Sequence, residues 1–337
     1  MKKQGLYAAA CVLLLLVLCF CVPDGQILWE AGDALYTDSE LPALQWSFVP
    51  YGTGVAVSAA IAWMIAVALD RKKTAVSGAL RWFAWALLLG IVLSRLLYCV
   101  VDTAYYNPKW LARLAALRIW DGGMAMTGAV LGMLLACKLA PEGMAIAPAA
   151  APLFIAGARF SEVFSQVGYG PSVYFEGFMA RQVGYAVRLN VSVLEGAMAL
   201  VIFALVLLLP RWAERRGLAL TDGRRMCAFL ILYGITQLLM ESLRKDRHMI
   251  WGFTKAQQIM AILIVLGVLL ALSAGKAAKR RTFITTLCAV APLVGLEFAL
   301  DRADVSIWLL YSAYIIILAA YMTAAYRIFV RSLEHQA

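Results

Sequence analysis

Residues 191–209 read VSVLEGAMALVIFALVLLL, an apolar run whose one charge is Glu195. Coiled as an α-helix, the run is about 28 Å long, close to the hydrocarbon core of a bilayer at about 30 Å. The same reading recurs in both directions. Candidate spans fall at 5–22, 50–69, 82–101, 121–139, 143–160, 191–209, 226–243, 255–274, 282–300 and 306–328. Of the 337 residues, 63% are hydrophobic and only 15% charged, with a mean hydropathy of +0.80; a soluble domain carries about 25% charged residues. No ten-residue alternating pattern suggests a barrel. The sequence therefore predicts an all-α, polytopic helical membrane protein of about ten transmembrane helices.

The net charge of +10 reports membrane orientation here and excludes nucleic acid as a partner. With the N-terminus inside and every span crossing, 18 Lys and Arg fall on the inner side and ten on the outer, while Arg95 and Arg159 lie at membrane depth. The first outer loop, 24–49, is purely acidic (Asp24, Glu30, Asp33, Asp38, Glu40). Both termini are expected to be cytoplasmic. The Met-Lys-Lys start resembles a signal peptide, but no small-residue cleavage site follows and Phe20 spoils a lipobox before Cys21, so a retained helix is expected. All seven cysteines sit in apolar runs without metal-like spacing and read as small buried apolar residues. With His248 and His335 as the only histidines, no metal and no cofactor are expected. No internal repeat supports a transporter.

Charges inside spans cost about 2.5–3.5 kcal/mol each on insertion scales, so each has a partner or a task. The set is Arg95, Arg159, Glu162, Glu195, Glu241, Arg244 and Glu297. Tyr233, Gln237, Glu241 and Arg244 are spaced by four, four and three, which places them on one helical face. That stripe is either an interhelical seam with a Glu241–Arg244 pair or a substrate-lining wall. Arg159 and Glu162 stand three apart where the fifth span ends in a polar, glycine-marked turn; they are a local ion pair or part of a site. Arg95 and Tyr98, three apart, are a snorkelling arginine with its neighbour or a binding pair. The fourth span opens Trp120-Asp121-Gly122-Gly123 and continues through Thr127 and Gly128 to Gly132. Gly128 and Gly132 predict close helix packing, and the adjacent glycines beside Asp121 suggest a broken start lining a cavity.

Several of these segments, in the same order, resemble the prolipoprotein diacylglyceryl transferase family. They are Tyr51-Gly52, LGIVLSRLLY (89–98), RIWDGGMAMTGAVLG (118–132), GARFSEVFSQVGYG (157–170) and LYGITQLLMESLRKD (232–246), with Gln258 in the place of a late family glutamine. The resemblance covers about 45–275 and implies a seven-helix core there. Residues 1–44 are then an extra span with an acidic outer loop, and 276–337 two additional spans with a short tail. Tyr51, Arg95, Asp121, Gly122, Gly123, Arg159, Gly170, Glu195, Glu241 and Arg244 match the family pattern. Thr127 stands where the family has a histidine, Glu162 and Ser165 where it has asparagines, Val167 where it has an acid, and Gln237 where it has an arginine.

The resemblance implies a bacterial cytoplasmic-membrane enzyme that moves a diacylglyceryl group from phosphatidylglycerol to a lipobox cysteine. Its partners are then an anionic phospholipid and a lipobox-bearing precursor protein. On that reading Arg159, Glu162 and Glu241 carry the chemistry. Tyr51, Arg95, Tyr98, Asp121, Gly122, Gly123, Thr127, Gly170, Glu195, Tyr233, Gln237 and Arg244 bind substrate. Arg159 and Arg244 would hold the phosphate, since a guanidinium offers a planar fork of donors; Glu162 would act as base, and Glu241 would orient Arg244. The altered positions Thr127 and Gln237 support the alternative of a non-catalytic lipid-binding or accessory protein.

Overall fold

The computed structural model describes residues 2–21, 50–70, 74–106, 124–164, 169–183, 185–244, 251–302 and 306–334. Among them run ten α-helices: α1 (Lys2–Cys21), α2 (Pro50–Leu69), α3 (Val76–Tyr106), α4 (Met126–Leu139), α5 (Gly143–Ser161), α6 (Val191–Arg215), α7 (Asp222–Leu243), α8 (Trp251–Leu272), α9 (Gly275–Arg302) and α10 (Ile307–Glu334). One helix lies over each predicted span. Seven are long and apolar enough to cross a membrane; the apolar stretches Gln4–Phe20, Met126–Leu139 and Gln257–Leu272 are shorter. The protein is an all-α, multi-pass membrane protein. Large apolar side chains such as Ile61, Met64, Leu205, Leu208, Leu309 and Ile316 are exposed on these helices, which is the surface lipid covers.

The chain divides into two compact units, one of residues 1–203 with 243–257, the other of 204–242 with 258–337. In the first, close packing depends on missing side chains. A Cβ on Gly128 would lie 2.5 Å from the Leu93 carbonyl oxygen, and one on Gly132 2.5 Å from the Gly90 nitrogen, so α4 meets α3 backbone to backbone. The small-residue pair at 128 and 132 therefore acts as the sequence suggests. Helices α2 and α5 use a reciprocal version: Gly54 faces Ser161, and Gly157 faces Ser58. Each serine hydroxyl bonds back into its own helix, Ser58 to the Gly54 carbonyl at 2.6 Å and Ser161 to the Gly157 carbonyl at 2.8 Å. Neither serine leaves an unsatisfied group against lipid. Helix α1 packs on α2 and α3, and an apolar cavity of about 120 Å³ is lined by Leu18, Trp63, Phe83, Ser94, Met133 and Phe154 among others.

Between α5 and α6 the sequence predicts only a polar turn. The structure adds a 3₁₀ turn at Glu162–Phe164 and a three-stranded antiparallel sheet, β1 (Tyr169–Ser172), β2 (Ala180–Val183) and β3 (Ala186–Asn190), ordered β1-β3-β2. Strands of four and five residues are too short for their alternation to register beside twenty-residue apolar runs.

In the second unit, Ile231, Leu238, Val265, Leu269, Leu293 and Leu318 form a core shared by α7, α8, α9 and α10. Polar side chains thread through it. Tyr321 and Thr286 bond at 3.0 Å, Ser273 and Thr282 at 2.7 Å. Tyr314 donates to the Leu238 carbonyl at 3.2 Å and Tyr311 to the Ser242 carbonyl at 2.8 Å. Ser242 lies in the last turn of α7, where carbonyls have no intrahelical donor; the Tyr311 hydroxyl supplies one. Cys11 and Cys137 are buried as predicted, but Cys288 is exposed on α9, where a small apolar thiol can face lipid without cost.

Candidate functional site

The sequence places four charges at membrane depth around the ends of α5, α6 and α7, and the first unit gathers them. Arg159 is in the last turn of α5, Glu162 in the 3₁₀ turn that follows, Glu195 in the first turns of α6, and Arg244 just past α7. All four are more than nine-tenths buried. Arg159 pairs with Glu162 through Nη1 and with Glu195 through Nε at 2.8 Å. Arg244 Nη2 pairs with Glu195 at 2.7 Å and faces Glu162 at 3.8 Å. The Ser192 hydroxyl donates to Glu162 Oε2. Two guanidiniums thus alternate with two carboxylates, and the formal charge of the quartet is zero, the condition under which buried charges are tolerated.

Local sequence explains the geometry. The helical register of α5 ends at Ser161, so residue 162 turns back within reach of residue 159, three positions earlier. On α6, Ser192 and Glu195 are again three apart and share a face, one meeting Glu162 and the other both arginines. Gly170, in β1, lies under this end: a Cβ there would sit 2.9 Å from Val191 Cγ2 and 3.1 Å from the Leu243 carbonyl oxygen. The sheet therefore closes against the chain that presents Arg244 only because residue 170 has no side chain.

The remaining predicted residues fall in three groups. Arg95 is buried on α3 with its guanidinium over the Tyr98 ring, 5.7 Å from the centroid, an arrangement that stabilises a cation away from water. Ser94, one residue earlier, accepts the Ala125 N–H at 3.1 Å at the start of α4. Thr127 is fully buried and donates to Gln257 Oε1. Tyr51 is half-buried in the first turn of α2. In the second unit, Gln237 Nε2 donates to Glu241 Oε1 at 2.6 Å and Tyr233 stacks on Phe229 with centroids 5.8 Å apart, so the 233–237–241 spacing does form one face. Gln258 donates to Glu297 at 2.6 Å. Asp121, Gly122 and Gly123 lie outside the described residues, as do Ser165 and Val167.

Sequence reasoning missed Ser192 and Gln257. Ser192 was legible from its three-residue spacing to Glu195; Gln257 carried no signal, because its partner Thr127 is distant in sequence.

The family model of prolipoprotein diacylglyceryl transferase matches residues 41–273, a stretch that takes in the quartet, Thr127 and the Gln237–Glu241 pair. The chain belongs to the prolipoprotein diacylglyceryl transferase family. Similar proteins are named phosphatidylglycerol–prolipoprotein diacylglyceryl transferases. That of Thermotoga maritima is 28% identical over 202 residues, 54% of this chain and 66% of the relative. That of Streptococcus pneumoniae is 29% identical over 214 residues, 59% and 79%. That of Streptococcus pyogenes is 28% identical over 195 residues, 54% and 73%. The chain therefore spans just under two thirds of the length of its Thermotoga relative, and family membership rests on the matched core, where α2 to α8 lie.

Proposed function

We propose that this family member is a phospholipid-dependent transferase of the bacterial cytoplasmic membrane, with both termini cytoplasmic, that moves a diacylglyceryl group from a phosphatidylglycerol-like lipid to a cysteine thiol or related acceptor. The observation that carries the reading is the buried quartet of Arg159, Glu162, Glu195 and Arg244. A protein with no anion to handle gains little from two arginines at membrane depth, and a guanidinium has five donors, enough to hold a carboxylate and phosphate oxygens at once.

In the proposed reaction the acceptor thiol, with an ordinary pKa of about 8.5, gives its proton to Glu162. The thiolate then attacks the glyceryl carbon bonded to the phosphate oxygen. A carbon–sulfur bond forms, the carbon–oxygen bond breaks, and glycerol phosphate leaves with the electron pair. Arg159 and Arg244 stabilise the charge on the departing phosphate, Glu195 holds both arginines, and Glu241 orients the end of α7. Tyr51, Arg95, Tyr98, Asp121, Gly122, Gly123, Thr127, Gly170, Tyr233 and Gln237 are assigned to substrate binding, and the apolar cavity beside Ser94 to part of an acyl chain. Residues 45–275 form the catalytic core, 1–44 and 276–337 its additions.

Purified protein in phosphatidylglycerol membranes, given a lipobox peptide, should yield a peptide heavier by one diacylglyceryl group, and Arg159→Ala and Glu241→Ala should abolish it. Product formed without phospholipid refutes the assignment. Gln237, which takes up Glu241 where the family has an arginine, favours a second reading, a lipid-binding protein without turnover. An unmodified peptide with tightly held phospholipid would establish that reading.

A further inference from the structure

Pairing of β2 with β3 sets Arg181 directly opposite Arg188. Directly paired residues of antiparallel strands project from the same face with Cβ atoms about 5 Å apart, and like charges so placed destabilise a sheet. The arrangement therefore carries a cost that the strands alone do not explain. Arg181 is anchored at one side: its Nη1 donates to the Val163 carbonyl at 3.0 Å, and its guanidinium lies over the Tyr169 ring, 5.9 Å from the centroid. Those contacts turn this face of the sheet toward the end of α5, one residue from Glu162. On Arg188, Nε is buried and has no hydrogen-bond partner among the described residues, a condition that asks for an acceptor. Flanking elements fix the level in the membrane: the span that includes α5 ends at Phe164 and α6 begins at Val191, so the sheet sits where spans meet water and headgroups.

We propose that Arg181 and Arg188 form a binding site for a phosphate-bearing anion at the membrane face beside the end of α5. Two guanidiniums on one face present planar forks that grip phosphate oxygens from two sides, and an anion between them offsets the repulsion of two facing arginines. The phosphate belongs either to a phospholipid headgroup or to a free phosphate ester leaving toward water. None of the residues assigned to the proposed reaction is part of this site, so binding here is testable whether or not transfer occurs.

The test compares the full chain with Arg181→Ala/Arg188→Ala in two arms. In the first, inorganic phosphate and glycerol phosphate are titrated calorimetrically into protein held in phosphatidylcholine nanodiscs. In the second, bound lipid is counted by native mass spectrometry after exposure to phosphatidylglycerol or phosphatidylcholine. At least a tenfold loss of affinity in the first arm assigns a free phosphate. Loss of one phosphatidylglycerol per protein in the second, with the first arm silent, assigns a headgroup. Melting temperature is the folding control, read on Arg188→Ala alone, which keeps the Arg181 contacts to Val163 and Tyr169: relief of a facing like charge should leave it unchanged or raise it, whereas a merely structural pair would lower it. Affinity within twofold of wild type in both arms, or a melting temperature that falls with no change in binding, overturns the proposal.

Discussion

The two units solve the problem of burying polar side chains in a membrane protein in opposite ways. The first concentrates formal charge, with Arg159, Glu162, Glu195 and Arg244 in one network. The second distributes neutral donors, with Tyr311 and Tyr314 on backbone carbonyls, Thr286 on Tyr321, Ser273 on Thr282, and Gln237 and Gln258 each on one carboxylate. Neutral interhelical bonds contribute modestly in membranes, about 0.6 kcal/mol on average, and any one is replaceable. A buried ion network costs several kcal/mol per ion in desolvation and returns it only while complete. Charge retained at that cost points to chemistry; the hydroxyl bonds of Tyr311, Tyr314, Tyr321 and Ser273 point to assembly. The comparison also bears on the segments beyond the matched family core: the last two helices bring Thr286, Tyr311, Tyr314 and Tyr321 to this neutral seam and Leu293 and Leu318 to the apolar core.

The largest break in this contrast is expected from Glu195→Ala. Glu195 contacts both arginines, at 2.8 and 2.7 Å, so its loss leaves two guanidiniums against Glu162. Removing one partner of a buried pair costs about 3–5 kcal/mol, to be read from denaturant unfolding in micelles, with transfer activity lost as well. Glu195→Gln keeps the shape and removes the charge; a stability close to wild type in that variant would mean that hydrogen bonding, not charge, holds the quartet.

A smaller effect is expected from Gln237→Leu, which strips the 2.6 Å donor from buried Glu241. Loss of a hydrogen bond to a charged group costs about 1.5–3 kcal/mol. Pairing it with Glu241→Leu in a double-mutant cycle should recover part of that loss, and strict additivity would show that the two residues are not coupled.

Within the seam the two tyrosines give a finer test. Tyr311→Phe removes the only donor seen on the Ser242 carbonyl among the described contacts, in the last turn of α7, whereas the Leu238 carbonyl bonded by Tyr314 also receives Gln258 Nε2 at 3.3 Å. Tyr311→Phe should cost about 1 kcal/mol and speed amide exchange near residue 242; Tyr314→Phe should leave exchange at the carbonyl it bonds closer to wild type. Equal effects would mean that the hydroxyls act through packing alone.

How far the sequence reaches follows the same division. Ten apolar runs located ten helices because hydrophobic length is a local property, and the spacing at 128 and 132 announced the contact that α4 makes. Candidate charges were legible one by one, since each is anomalous in a span. The local pair of Arg159 with Glu162 was legible from its spacing too, but distant partners were not. The pairs of Arg244 with Glu195 and of Thr127 with Gln257 join residues 49 and 130 positions apart, and no helical period encodes such distances. The 233–237–241–244 stripe offered a Glu241–Arg244 pair as one of its two readings; the structure adds a bond from Gln237 to Glu241, and contacts of Arg244 with Glu195 and Glu162 that no helical spacing announces. The sheet was lost to its brevity.

The smallest effect should come from Arg81 and Glu142, a charge pair with the chemistry of the quartet and the opposite exposure. Arg81 Nη2 lies 2.6 Å from both Glu142 oxygens, yet the side chains are 36% and 38% exposed. The hydrogen bond from Arg81 holds the Glu142 carboxyl below its ordinary value of 4.5. A depressed carboxyl stabilises the folded state at pH values above its unfolded pKa, and that contribution disappears as pH falls through the folded value. Glu142→Gln should therefore melt slightly below wild type at pH 6, and the gap should close by pH 3.5. Added salt should close it at pH 6 too, since exposed pairs are screened. A gap that widens on acidification would give the pair the wrong sign. If salt at pH 6 left the gap intact, this exposed pair would behave like a buried one, and burial would no longer separate it from the quartet.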